Sequence, residues 1–142
     1  MDTGEIQKQI RAALAEARRH SAERRVRSDD AAKHYDVFLE TRAVPVFRQV
    51  AAGLTGEGHP FKVMTPSGSV RLFPERSPDE FVELALDASY DPPQVVGHVV
   101  RGRGRRTMET EAPLRERTPI QDLTEEHVLA FLLREAVAFV QR

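Results

Sequence analysis

The sequence predicts an α+β fold: helices at both ends of the chain, with an antiparallel meander sheet of about five strands between them. Three observations carry this. Apolar residues recur at helical spacing over residues 1–55 and again over 122–142. Over residues 60–115 they alternate instead, and proline/glycine turns punctuate that stretch at hairpin distances. Helices set apart from an antiparallel sheet are expected to gather on one of its faces, and residues 1–142 to form a single domain.

Residues 3–27 read as a helix. Ile6, Ile10, Leu14 and Ala17 recur at helical spacing with Ala13 beside them, while Arg11, Arg18, Arg19, Arg24 and Arg25 ride elsewhere. The apolar stripe is thin, so its edge needs another surface to lie against. Ser28-Asp29-Asp30 then supplies a helix N-cap followed by acid in the first turn. Tyr35, Phe38, Leu39, Phe47, Val50 and Leu54 mark the buried stripe of this second helix. Pro45 is expected to kink or restart it, and Gly53 and Gly56 to end it. The loop from Gly53 to Pro60 has the glycines of a phosphate cradle. It follows a helix rather than a strand and lacks the lysine with Ser or Thr behind it, so it reads as a connector.

Residues 61–65 and 69–73 alternate as strands around the Pro66-Ser67-Gly68 turn. Phe61, Val63, Val70 and Leu72 share the buried face, and Lys62 and Arg71 point out. Residues 80–89 fit both periods. Ser77-Pro78-Asp79-Glu80 is a capping-box signature for a helix, whereas Val82, Leu84, Leu86 and Ala88 fall on one face of a strand. The strand is preferred, because Asp91-Pro92-Pro93 joins it to Val95 over a hairpin-length connection.

Residues 94–113 form the next hairpin, with Arg101, Gly102, Arg103, Gly104, Arg105 and Arg106 at its tip. An even loop sets Arg101 opposite Arg106. It then pairs Val99 with Met108, Gly97 with Thr110 and Val95 with Ala112 on an inner face. His98 with Glu109, Val100 with Thr107 and Val96 with Glu111 pair on the outer one. In the last helix Thr124 caps, Glu125 and Glu126 occupy the first turn, and Leu123 staples to Val128. Apolar residues cover more than half its circumference, so it is expected to be buried across the sheet or between subunits.

Net charge is −1, so no global field draws the chain to nucleic acid or an acidic membrane. Charge is unevenly spread: residues 1–27 hold seven basic and four acidic groups, and residues 107–142 seven acidic and four basic. Cysteine is absent, removing disulfides, thiolate metal sites and cysteine nucleophiles together. No apolar run approaches the roughly 18 residues of a membrane span and no signal-peptide core opens the chain, so a cytoplasmic setting is expected. The five histidines make no metal-binding pair, and no nucleophile sits in a recognisable elbow; neither a metal nor a cofactor is expected.

Two constellations remain. His98 could be a general base with Glu109 as its orienting carboxylate, yet a cross-strand polar pair accounts for both residues. Arg101, Arg103, Arg105 and Arg106 could grip phosphates or carboxylates of an acidic protein or nucleic acid. No aromatic is interleaved with them for base stacking. The leading expectation is a non-catalytic protein-interaction module that self-associates, with anion or nucleic-acid binding through the 101–106 tip as the alternative.

Overall fold

A computed structural model describes residues 1–141. Its elements run α1 (Thr3–Phe38), a π-turn (Leu39–Ala43), α2 (Val44–Gly56), β1 (Phe61–Met64), β2 (Ser69–Pro74), β3 (Phe81–Asp87), β4 (Gln94–Arg103), β5 (Arg106–Pro113), a 3-10 turn (Ile120–Asp122) and α3 (Glu125–Val140). The five strands pair antiparallel in chain order, β1 to β5. This is the α+β meander that the alternating middle of the sequence implies.

The first helix differs from expectation. Asp2 caps it, accepting the Glu5 N–H at 2.7 Å, and it then continues through Ser28 without a break. Ser28-Asp29-Asp30 is therefore not a cap. Asp29 and Asp30 are exposed, and polar side chains on a solvent-facing flank cost a helix only tenths of a kcal/mol each. The interruption comes instead at the π-turn before Pro45. Pro45 follows the π-turn directly, in the first turn of α2, and the chain stays helical on both sides of it. The wider turn ahead of it relieves the clash between the proline ring and the preceding carbonyls.

The sheet's inner face carries Phe61, Val70, Leu72, Val82, Leu84, Val95 and Val99, all buried. The 81–87 segment is a strand, paired on both sides, so Val82 and Leu84 face inward as alternation requires. The capping-box residues before it form a turn instead. Ser77 Oγ donates to Glu80 Oε1 at 2.9 Å, and Glu80 Oε2 accepts the Gly102 N–H at 3.0 Å, tying this turn to β4.

Two helices cover the inner face. The Phe131 ring of α3 lies directly on Gly97, and Phe139 meets Phe61 edge-on at 6.5 Å between centroids. Thr124 caps α3 with an unusual partner. Its hydroxyl accepts the His127 N–H while its own N–H donates to His127 Nδ1. The last turns of α1 close the edge of the core through Ala31, Tyr35 and Phe38, and Tyr35 donates to the Gly68 carbonyl at 2.6 Å. Burial, helped by the nearby carboxylates of Glu83 and Asp36, pushes the Tyr35 phenol well above its ordinary pKa.

The β4–β5 hairpin holds a register two residues from the one expected. Arg103 pairs with Arg106 across a two-residue tip, Arg101 with Met108, His98 with Glu111 and Gly97 with Ala112. Gly104 takes φ +63° in the first tip position, where a type II′ turn wants glycine. A shift of two keeps every side chain on its face, so the inner and outer sorting survives. Burial does not follow, however. Met108, Thr110 and Ala112 stay exposed on this edge strand, where Met108 meets α3 only at a hollow it shares with Ala138.

Candidate interaction surfaces

The arginine tip divides in two. Arg101 is half-buried, with its guanidinium 5.8 Å from the Phe139 ring centroid, so it belongs partly to the packing of α3 against the hairpin. Arg103, Arg105 and Arg106 are exposed at the tip. The sequence thus overstated a four-arginine cluster: three arginines face solvent and the fourth leans on an aromatic ring.

The His98–Glu109 contact is present despite the shifted register. His98 Nε2 meets Glu109 Oε1 diagonally, since residues offset by two on neighbouring strands remain within reach. Directly opposite His98 stand Glu83 on β3 and Glu111 on β5. Arg71 pairs with Glu83 at 2.8 Å and stacks 3.8 Å above the Phe81 ring, whose plane meets His98 edge-on. Together these side chains make a polar ladder over the outer face of the sheet, roofing Phe81. Each such cross-strand pair contributes roughly 0.2–1 kcal/mol, so the ladder accounts for these residues as scaffold.

The root of α1 is fastened by a surface clamp. Arg27 donates through Nε and Nη2 to the two carboxylate oxygens of Asp91, both at 2.9 Å. The guanidinium holds the Asp91 carboxyl below its usual range, and the carboxylate raises Arg27 in return. Beside the clamp a hollow of about 490 Å³ separates α1 from the loop after β5. Arg117 on its wall holds φ 56°, a left-handed conformation that non-glycine residues seldom adopt.

Beyond the clamp α1 stands alone. Every residue from 1 to 20 is exposed, including Ile6, Ile10 and Leu14 at 44, 54 and 52%. Local support comes from Glu16, which pairs with Arg19 and, at 2.9 Å, with His20. Such pairs add only about 0.2–0.5 kcal/mol each. Ile6 and Ala31 lie 25 residues apart, as do Ile10 and Tyr35; at 3.6 residues per turn, that spacing returns to within about 20° of the same face. The free arm therefore carries the buried face of α1 outward into solvent.

A second apolar surface lies between α2 and α3. Burial of α3 is realised on one side, through Val128, Phe131, Leu132, Ala136 and Phe139. Leu129, Leu133 and Val137 emerge on the other, at 41, 48 and 40%. Leu129 and Leu133 face Val50 and Leu54 of α2 across a groove of about 500 Å³ rimmed by Glu57, Glu125 and Glu126. The sequence signal for this surface was the excess width of the apolar stripe on α3, which the sheet alone could not cover.

Among the described residues no helix is long and apolar enough to cross a membrane, and no group of three or more His, Asp or Glu side chains could hold a metal ion. No family model, curated protein or solved structure matches the chain, so the functional reading rests on these geometries.

Proposed function

We propose that the protein is a non-catalytic interaction module that assembles with itself through the free arm of α1. One observation carries the reading: Ile6, Ile10 and Leu14 continue the buried face of α1 about five to seven turns beyond Ala31, its last buried residue. Helices in proteins draw most of their stability from tertiary packing, which the arm lacks, and it has few stabilising side-chain pairs. Large aliphatic side chains gain roughly 1.5–3 kcal/mol each on full burial. Three half-exposed ones offer on the order of 4 kcal/mol, comparable with the lower estimates for the entropic cost of association. One docked arm would thus give a weak complex. Two arms engaged about a two-fold axis double the gain against a single such cost, which favours a symmetric dimer. The cysteine-free composition suits a cytoplasmic setting.

Sedimentation equilibrium of the wild type beside Ile10→Asp tests this. The wild type should show self-association, and the variant, altered at an exposed position, should keep its fold while its dissociation constant rises at least about 10-fold. A wild type that stays monomeric at high concentration, or a variant that associates equally well, would count against the reading.

A further inference from the structure

We infer that the receptor for the arm is the groove between α2 and α3 of a second copy of the chain, an inference that rests on the self-association reading above. The groove has the form that an amphipathic helix requires, with apolar walls from Val50, Leu54, Leu129 and Leu133. Gly53 keeps one wall open: a Cβ placed there would meet nothing within 4 Å. The arm offers anchors at the matching spacing, Ile6, Ile10, Leu14 and Ala17.

Charge selects this pairing over the alternatives. The rim supplies three carboxylates, Glu57, Glu125 and Glu126, and no basic residue lines the groove. Over residues 1–20 the arm carries four cationic and three anionic groups, and Arg19 is already paired with Glu16, so the charges it brings to a partner are chiefly Lys8, Arg11 and Arg18. Arg11 and Arg18 stand three residues before and four after Leu14, so both flank the apolar edge where a rim would lie. Two arms laid against each other would offer Arg11 and Arg18 no such rim, because Glu5 and Glu16 lie on the far side of the helix from Ile6, Ile10 and Leu14. The sheet's outer face is already roofed by its Arg71, Glu83, His98 and Glu109 ladder. Nor can the arm serve its own groove in place of a partner's. Helix α1 runs unbroken to Phe38 and projects residues 1–20 away from the rest of the chain.

The absence of cysteine makes a cross-linking test clean. Ala13→Cys places a thiol on the arm, and Gly53→Cys places one in the open wall of the groove. The two variants are mixed, treated with a short bis-maleimide and resolved by mass, with wild-type sedimentation measured in parallel. The expected result is a mixed Ala13→Cys/Gly53→Cys adduct several-fold more abundant than either homo-adduct. Leu133→Lys, at an exposed position, should in addition dissociate the wild-type assembly while losing no more helical circular dichroism than the arm supplies and keeping the urea transition of the rest of the domain. Arm-to-arm adducts predominating in a protein that still self-associates would overturn the groove and leave self-association standing. So would an assembly that forms without the mixed adduct or survives Leu133→Lys. A monomeric wild type, with cross-linking no greater than in a denatured mixture, would overturn both.

Discussion

At Gly97 the Phe131 ring takes the space that any side chain would need: an added Cβ would come within 2.6 Å of Cζ and 2.7 Å of Cε2. Phe131 is buried in the core and cannot swing clear. Gly97→Ala should therefore cost about 1–3 kcal/mol, typical of overpacking in a tight core. Phe131→Leu should be costly alone yet recover part of the loss in the double variant. Urea denaturation of the four proteins checks this; strictly additive effects would mean that the two residues do not share the space. The sequence advertised a glycine inside a strand, which signals close approach. It could not name the intruder, which comes from 34 positions further along the chain. The His98–Glu109 contact was legible for the opposite reason. Face assignment depends only on parity, so it tolerated a register wrong by two.

Among the elements, the clamp at the root of α1 has a pH signature. Asp91 is held below its usual pKa by Arg27, so its contribution to stability is present above the unfolded carboxylate value, about 3.9, and fades as pH falls through the lower folded one. Asp91→Asn should be slightly less stable than wild type at neutral pH, and the two should converge in acid. Urea midpoints measured across that range give the comparison; a constant gap would show that the carboxylate's charge is not what matters. Neither the clamp nor the unbroken α1 was legible from local sequence. Arg27 and Asp91 are 64 residues apart, and Ser28-Asp29-Asp30 has the composition of a cap without its geometry. The strand at residues 81–87 was legible once connection length broke the tie between periods. Its capping-box look came from a turn whose Glu80 reaches across to Gly102.

Among the described residues the molecule presents to solvent, besides other surfaces, the ladder-bearing outer face of the sheet, the arginine tip, and the apolar rows of the arm and of the α2–α3 groove. The first is satisfied by its own cross-strand pairs, and the second is a charged turn in which Arg101 leans on Phe139. Only the third exposes large aliphatic side chains in ordered rows on two separate helices. Class and topology were legible because periodicity records which face is buried. The groove was not, because it depends on how far α3 overhangs the sheet beside α2. The central claim is that the arm is held in its helical form by association. Amide hydrogen exchange over residues 6–17, measured across a wide range of protein concentration, addresses it most directly. The expected result is slow exchange at high concentration that gives way to rapid exchange on dilution, while β3 and β4 stay protected throughout. Protection of the arm that is the same at every concentration would contradict it.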